Sequence, residues 1–283
     1  MINLFQPVCK YIFILQLLFY SIAPALLLGQ ENIRFDHIAV EDGLSRNTVL
    51  CILQDREGFM WFGTREGLNK YDGYQFTVYK RDIYDSTSIS DNWISTMMED
   101  QSGNLWVGTM SGGLNKYHKK TGRFTRYNNF TIVTRDSGHY NPLLYIKGLL
   151  EDSGGKIWIL TRAVGLTRFD PQQKTLTYYR RVEFGDDSGI SDFTINSILE
   201  DSRNTIWIAT GGGGLNRFNK KDNSFSHFGH DPENPNSLSH NTLNSIYEDR
   251  EGNLWIATEG GGMSRYDPCL LYTSPSPRDS IAS

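Results

Sequence analysis

One pattern recurs five times along the chain and constrains its fold more than any other feature of the sequence. An Asp is followed six residues later by a Trp, then by a Thr and by a Gly next to an apolar residue. Successive copies begin 45 to 52 residues apart, a period that is typical of β-propellers, in which each copy forms one blade. The pairs are Asp55 and Trp61, Asp100 and Trp106, Asp152 and Trp158, Asp201 and Trp207, and Asp249 and Trp255.

The second copy shows how one blade is expected to form. Residues 94–99 make an apolar strand, a turn at Asp100 and Gly103 reverses it, and residues 105–109 return with the Trp. The Asp accepts hydrogen bonds from turn N–H groups, and Gly adopts the positive φ of a tight hairpin. Two more strands follow before the next copy. We therefore predict an all-β protein, a β-propeller of four-stranded antiparallel blades with five repeats present.

The first strand of each copy lacks the alternation of a half-exposed strand. Residues 49–53, for example, are all apolar. Both faces of an inner strand are buried when a blade is covered by a neighbour on each side. The repeated Trp is therefore predicted to pack between adjacent blades.

The two ends of the repeat region indicate how the blades would close. Residues 32–38, NIRFDHI, resemble the outer-strand segment NSFSHF at 223–228, whereas the last copy ends at Tyr266 without an outer strand. We expect residues 32–38 to form an outer strand that pairs with the final blade and covers its edge. The alternative is an open arc of blades with an exposed edge.

Both termini differ from the repeats in composition. Lys10 precedes a charge-free apolar stretch that ends at Gly29, so residues 1–29 are predicted to be a signal peptide or, alternatively, an N-terminal anchor. The propeller repeats occupy 30–268. Residues 269–283 resemble a translated sequencing adapter and are expected to be a tail outside the natural sequence. Between these termini only Cys51 remains, and its apolar neighbours indicate a buried residue rather than a nucleophile.

Several classes of function are excluded by composition and motifs. A formal net charge of −4 without a basic run argues against nucleic-acid binding. The glycine run at 211–214 lacks the Lys and Ser or Thr of a phosphate loop, and no catalytic triad can be assembled by spacing. Carboxylate pairs such as Glu99-Asp100 recur at the same turn in four of the five copies, which indicates a structural role. His227 and His230 lack an obvious third ligand, so no metal and no cofactor are predicted.

Residues 35–268 resemble the two-component regulator propeller repeats of bacterial hybrid two-component sensors. The segments that carry the resemblance are EDGLSRNTV, GFMWFGTREGLNKYDGYQF, SGNLWVGTMSGGLNKY and NPNSLSHNTLNSIYEDREGNLWIAT. The resemblance implies a periplasmic sensor region in which seven-bladed propellers precede a β-sandwich domain, a membrane helix and a histidine kinase. Many such sensors respond to oligosaccharides. The chain has five copies, so the resemblance implies an incomplete or open propeller without an enzyme activity of its own.

Ligand binding is expected where the copies differ from one another. In propellers the loop before the first strand of a blade (the leading loop) and the loop after its second strand (the glycine loop) share one face. Trp93, in a leading loop, is the only Trp outside the repeated position, and a sugar could stack on such a ring. The alternative is that Trp93 fills a gap between blades. The candidate ligand-binding residues are Asn47, Arg65, Glu66, Asn92, Trp93, Tyr145, Arg162, Asn241 and Glu259.

The predicted function is ligand sensing outside the inner membrane. The partners expected from the resemblance are an oligosaccharide or another small extracellular ligand, a downstream kinase region and a second copy in a homodimer. Two alternatives stay open on the sequence: an exported propeller enzyme that acts on glycans, in the manner of a sialidase or lyase, and a propeller scaffold that binds only proteins.

Overall fold

The structure is a computed structural model of the 283-residue chain. It describes residues 34–128, 132–134, 138–140, 143, 145–162, 165–267 and 272–275, with the backbone alone at 132–134, 138–140 and 272–275. The chain divides into two compact units, Met1–Ile38 and Ala39–Ser283. In the first unit, residues 34–38 have no regular secondary structure. The predicted signal peptide lies outside the described residues.

The second unit contains five four-stranded antiparallel sheets in chain order, each formed by consecutive strands. Blade one contains β1 (Val49–Gln54), β2 (Met60–Thr64), β3 (Gly67–Tyr71) and β4 (Phe76–Tyr79). Blade two contains β5 (Ile94–Glu99), β6 (Leu105–Thr109), β7 (Leu114–His118) and β8 (Arg123–Tyr127). A small hairpin follows, made of β9 (Ile132–Thr134) and β10 (Gly138–Tyr140).

The remaining blades repeat this arrangement. Blade three contains β11 (Ile146–Glu151), β12 (Ile157–Thr161), β13 (Gly165–Asp170) and β14 (Thr175–Tyr179). Blade four contains β15 (Ile195–Glu200), β16 (Ile206–Thr210), β17 (Leu215–Asn219) and β18 (Ser224–Phe228). Blade five contains β19 (Leu243–Glu248), β20 (Leu254–Thr258), β21 (Met263–Asp267) and β22 (Tyr272–Pro275). A single 3-10 turn, Val40–Asp42, precedes blade one, and the described residues contain no α-helix. The prediction of an all-β propeller with five four-stranded repeats is confirmed.

The repeated Asp holds both its own turn and the repeated Trp. In each blade one carboxylate oxygen accepts the main-chain N–H four residues later, as Asp152 does from Lys156 at 3.0 Å. The other oxygen accepts the indole N–H of the Trp at 2.8 Å in all five blades. Burial of the Trp removes its indole N–H from water, so the Asp carboxylate is needed as the hydrogen-bond acceptor of that group.

Each junction between consecutive blades has its own hydrophobic cluster. The Trp of one blade meets an aromatic ring on the third strand of the next, as Trp158 meets Phe218 with ring centroids 4.8 Å apart. The other three pairs are Trp61 with Tyr117, Trp106 with Phe169, and Trp207 with Tyr266. The predicted role of the Trp in packing between blades is confirmed for these four.

Carboxylates also join the blades in series. The Glu that ends the first strand of one blade accepts the N–H of the residue after the repeated Asp of the preceding blade. These bonds run from Arg56 to Glu99, Gln101 to Glu151, Ser153 to Glu200 and Ser202 to Glu248, at 2.5 to 2.9 Å. The predicted structural role of the Glu-Asp pairs is therefore confirmed.

The sheets at the two ends of the series each leave one face uncovered. The fourth residue of an inner strand faces the preceding blade and the fifth faces the following blade. Ile52, the fourth residue of β1, is 62 % exposed, and Tyr247, the fifth residue of β19, is 66 % exposed. This exposure corresponds to the open alternative considered from the sequence.

The outer strand of blade five differs from the prediction. Residues 34–38 were expected to lie within an outer strand, and they form none. Tyr272–Pro275, within the segment predicted to be a tail outside the natural sequence, instead pairs antiparallel with β21. The exposed edge of β21 explains the pairing, because an open strand offers free N–H and C=O groups to any extended segment nearby. The adapter-like origin of the tail stays a prediction.

Blade three lacks a polar pair that the neighbouring blades share. In blades one, two and four, an Asn on the third strand accepts the N–H of a buried or half-buried Ser in the leading loop, as Asn216 does from Ser191 at 3.0 Å. In the sequence of blade three, Thr167 replaces the Asn. The Ser is replaced by Pro142, a residue type that has no main-chain N–H. Thr167 Oγ1 is buried and has no hydrogen-bond partner among the described residues.

Candidate functional site

The leading and glycine loops lie side by side at the blade junctions. The glycine loop of blade one donates Gly67 N–H to Asn92 O at 2.8 Å, and the glycine loop of blade four donates Gly214 N–H to Asn241 O at 2.9 Å. Between blades two and three, Tyr145 N–H donates to Met110 O at 2.8 Å. The prediction that these two sets of loops share one face, called the rim below, is confirmed.

Arg65 and Trp93 are brought together at the junction of blades one and two. The guanidinium carbon of Arg65 lies 4.5 Å from the centroid of the Trp93 ring, a cation–π contact. The Trp93 backbone is fixed by its N–H, which donates to Asp91 Oδ1 at 3.3 Å, and by its carbonyl, which accepts from Met110 N–H at 3.0 Å. One face of the half-buried indole is therefore occupied by a cation, and a ligand would stack on the remaining surface or displace Arg65.

Tyr145 and Arg162 form a second pair, within blade three. The Arg162 guanidinium lies 5.3 Å from the Tyr145 ring centroid, and Arg162 N–H donates to Tyr145 O at 3.1 Å. Tyr145 has a φ of 53°, which is uncommon for a residue other than Gly. Backbone strain of this kind is concentrated at binding sites and is maintained by the surrounding contacts.

The three candidate asparagines each close a loop on the rim. Their side-chain oxygens accept main-chain N–H groups: Asn47 from Val40 at 2.9 Å, Asn92 from Arg81 at 2.7 Å, and Asn241 from His230 at 2.6 Å. These contacts give the Asn side chains a structural role that the sequence did not indicate. The side-chain N–H groups of the three asparagines have no partner among the described residues and are therefore the groups that could bind a ligand.

The acidic candidates are held locally. Glu66 forms an ion pair with Arg46 at 3.2 Å, and Glu259 N–H donates to Thr242 O at 2.9 Å. Among the nine candidates, two side-chain pairs thus form along the rim, Arg65 with Trp93 and Tyr145 with Arg162. The contacts given above for the other five are with residues outside the candidate set. The assignment of the nine to a ligand stays a prediction.

The remaining chemistry-bearing residues have structural contacts. Burial raises the pKa of the Cys51 thiol to about 11, which opposes formation of a nucleophilic thiolate. His227 Nδ1 accepts from Gly185 N–H at 3.1 Å, so its Nε2–H donates to Gly189 O at 3.0 Å. Within the described ranges no group of three His, Cys, Asp or Glu side chains is arranged to hold a metal ion. In that same part of the chain, no helix has the length and apolar character needed to cross a bilayer.

Sequence reasoning missed a cavity of about 280 Å³ on the rim at the junction of blades four and five. One of the nine candidate ligand-binding residues, Asn241, lines this cavity. Its lining includes Arg181, Phe184, Asp192, Gly212, His230 and Asn241. The available signal was a difference between copies: Gly212 stands where blade two has Ser111.

These features define a β-propeller built from Asp–Trp repeats, with its variable side chains on one rim. Residues 43–66, 88–111, 188–212 and 237–260 match the family described as two component regulator propeller. Four segments of the chain therefore match the repeats of two-component regulator propellers. The third copy is not among the matched segments, and blade three also lacks the Ser–Asn pair of blades one, two and four.

Two of the similar proteins are described as signalling proteins. A segment of 74 residues is 45 % identical to Histidine kinase P4 of Formosa agariphila and covers 26 % of this chain and 5 % of the relative. The extracellular domain assigned to a hybrid two-component system of B. thetaiotaomicron is 26 % identical, with a TM-score of 0.63. That match covers 85 % of this chain and 32 % of the solved domain, so the chain spans about a third of the structure it resembles.

A third similarity concerns the fold alone. Virginiamycin B lyase of Staphylococcus aureus is 14 % identical with a TM-score of 0.55, and the match covers 83 % of this chain and 72 % of the lyase. The same blade architecture therefore also occurs in an enzyme, and the fold does not decide between sensing and catalysis.

Proposed function

We propose that this chain is the periplasmic ligand-sensing propeller of a hybrid two-component signalling protein and that it binds a carbohydrate-derived ligand on the rim. The single observation that carries the proposal is the set of four regulator-propeller repeats. Similarity to a histidine kinase and to the extracellular domain of a hybrid two-component system supports the same context. In this proposal the whole protein is a kinase anchored in the inner membrane, and the fragment itself binds without catalysing a reaction.

The contact chemistry proposed for the rim starts at Trp93. A sugar ring has an apolar face that stacks on an indole, while its hydroxyl groups need hydrogen-bond donors and acceptors around that ring. Arg65 lies at the Trp93 ring, and Asn92 keeps its side-chain N–H groups for a ligand. Arg162 would supply further donors from blade three.

Signal transmission is proposed to depend on the blade junctions. The rim loops are hydrogen-bonded across the junctions, so a ligand that draws two loops together would change the angle between their blades. That change would reach the downstream kinase region through blade geometry or through a homodimer. The requirement is that the ligand binds the two geometries with different affinity.

Calorimetric titration of the purified chain with an oligosaccharide panel tests the proposal. At least one member is expected to bind, and Trp93→Ala is expected to weaken that binding about ten-fold, since stacking contributes on the order of 1 kcal/mol or more. Tyr74→Ala is the matched control, because Tyr74 is a 95 % exposed aromatic in the turn between β3 and β4. Unchanged affinity in folded Trp93→Ala would remove the rim assignment.

Two other outcomes would replace the sensing proposal. Turnover of a glycan by the purified chain would favour an exported propeller enzyme. A melting temperature that no panel member raises would favour a scaffold that binds only proteins, because a ligand specific for the folded state must stabilise that state.

A further inference from the structure

The cavity at the junction of blades four and five combines an aromatic ring with a small number of polar groups. One apolar surface beside a few convergent polar side chains is typical of small-molecule sites. Phe184, Gly229 and His230 also line a second cavity of about 340 Å³, so the space extends on both sides of the Phe184 ring. The polar groups of the first cavity differ from those at the corresponding place in blade two.

In blade two both oxygens of the corresponding carboxylate, Asp91, accept hydrogen bonds from groups of the same blade. Asp91 Oδ1 accepts the N–H of Trp93 at 3.3 Å. Asp91 Oδ2 accepts both the N–H and the hydroxyl of Ser111, at 2.8 and 2.7 Å. A ligand at this position would have to compete with an intramolecular hydroxyl group.

In blade four the corresponding carboxylate is Asp192, and only one of its oxygens accepts a hydrogen bond from the described residues. Asp192 Oδ1 accepts Thr194 N–H at 2.6 Å, but Gly212 replaces Ser111, and no donor in the described part of the chain reaches Asp192 Oδ2. The next glycine is placed alike in the two loops: a Cβ at Gly112 would lie 2.3 Å from Ser90 Oγ, and one at Gly213 would lie 2.4 Å from Ser191 Oγ. Without the hydroxyl and the main-chain N–H contact that Ser111 makes in blade two, Asp192 Oδ2 is a hydrogen-bond acceptor in the wall of the cavity.

Phe184 supplies the aromatic surface, and it is fixed in place without being covered. Phe184 is 60 % exposed, and its ring lies 5.7 Å from the imidazole of His227, measured between centroids. His227 also accepts the N–H of Gly185, the residue that follows Phe184. A ring fixed in this way loses little conformational entropy when a ligand stacks on it.

Arg181 supplies donors to the same space. Its Nε–H donates to Ser191 O at 3.4 Å, and its terminal guanidinium N–H groups have no partner among the described residues. The cavity therefore presents a stacking surface, a free carboxylate oxygen and free N–H donors. The carboxylate opposes a second anion beside it, which favours an uncharged ligand.

We propose that this cavity binds a neutral pyranose ring. The ring stacks on Phe184, a hydroxyl group donates to Asp192 Oδ2, and a neighbouring hydroxyl oxygen accepts from Arg181. The proposal shares the class of ligand with the proposed function, and in that respect rests on it, but assigns the ligand to a different junction and different residues.

Titration of the full chain with methyl glycosides of mannose, galactose and glucose, followed by amide and indole NMR signals, tests this assignment. For at least one glycoside, the Gly212 and Gly213 amide signals are expected to shift saturably. Asp192→Asn and Gly212→Ser are each expected to raise Kd about ten-fold, as loss of a hydrogen bond to a charged group implies. Gly212→Ser is tolerated sterically, since its Cβ would lie 3.4 Å from Asp192 Oδ2.

Asp91→Asn is the matched control in blade two and should leave the Kd reported by the Gly212 amide signal within about two-fold, because Asp91 does not line this cavity. Shifts of the Trp93 indole signal without shifts of Gly212 would overturn this site and leave the proposed rim site intact. An unchanged Kd in Gly212→Ser would also overturn it, and tighter binding of methyl glucuronide than of methyl glucoside would refute a neutral ligand. No shift at either place with any glycoside would overturn both proposals.

Discussion

At the scale of single residues, the repeated Asp has two roles of which the sequence showed one. A turn Asp followed by Gly predicts a hairpin, and that prediction is confirmed. The bond from Asp Oδ2 to the Trp indole was missed, although the constant spacing of six residues was its signal. Spacing alone cannot show this bond, because it depends on a hairpin register that places the Trp side chain beside its own turn.

Thr167 illustrates how a departure from the repeat changes the energetics of one residue. Its hydroxyl is buried and has no hydrogen-bond partner in the described part of the chain, and a buried unsatisfied group costs about 1–3 kcal/mol. Thr167→Val removes the hydroxyl and keeps the shape, so we expect it to raise the free energy of unfolding by about 1 kcal/mol. Urea unfolding followed by tryptophan fluorescence measures the change.

Thr109→Val is the control for Thr167. Thr109 is equally buried, but its hydroxyl donates to Gly113 O at 2.8 Å and accepts from Gly112 N–H at 3.0 Å. The same substitution there leaves both groups without their partner and is expected to lower the free energy of unfolding by about 1–2 kcal/mol. If both variants lose stability alike, the Thr167 hydroxyl has a partner after all.

At the scale of elements, the inner strand of each of blades two, three and four connects its own blade to both neighbours. A register shift near its start is a β-bulge, and bulges redirect side chains. In the bulges of β5, β11 and β15, Ser95, Lys147 and Asn196 donate to a carbonyl on the first strand of the next blade. The Glu at the other end of the strand reaches back to the preceding blade. Sequence alone identified these strands but not their cross-blade partners, which depend on the angle between sheets.

Glu151 connects blades two and three, and its contribution to the free energy of unfolding depends on pH. Burial, followed by repulsion from Asp100 and Asp152, raises the pKa of its carboxyl above the usual 4.5. As the pH rises from about 4.5 through this raised value, the unfolded carboxyl ionises before the folded one, so the native protein loses stability. In Glu151→Gln that loss should be absent, because Gln still accepts the Gln101 N–H and does not ionise.

Urea unfolding of both proteins between about pH 4 and pH 7 measures this difference. Glu200→Gln is the control from the next blade, because Glu200 forms an ion pair with Lys220. Removing that pair should lower the free energy of unfolding at neutral pH by up to about 1 kcal/mol. A Glu151→Gln profile parallel to that of the native protein would show that Glu151 is not the group responsible.

At the scale of the whole molecule, the period and the hairpin signals were sufficient to predict the blades and their order. Closure was predicted less well: residues 34–38 form no strand, and Tyr272–Pro275 completes blade five. Strand pairing at an edge depends on which extended segment lies nearby, and a local motif does not contain that information. The rim pair of Arg65 and Trp93 follows from the loop positions, whereas the cavity beside Phe184 depends on crossover loops that the repeat does not specify.

The two uncovered faces give the last prediction. Ile52 and Ile246 are the same residue at the same position of β1 and β19, yet Ile52 is 62 % exposed and Ile246, facing blade four, is 8 % exposed. Ile246→Lys buries a cation at the junction and is expected to lower the free energy of unfolding by more than about 3 kcal/mol. Ile52→Lys keeps its charge in water and is expected to change the free energy of unfolding by less than about 0.5 kcal/mol. Urea unfolding compares the two variants, and equal losses would mean that another surface covers blade one in solution.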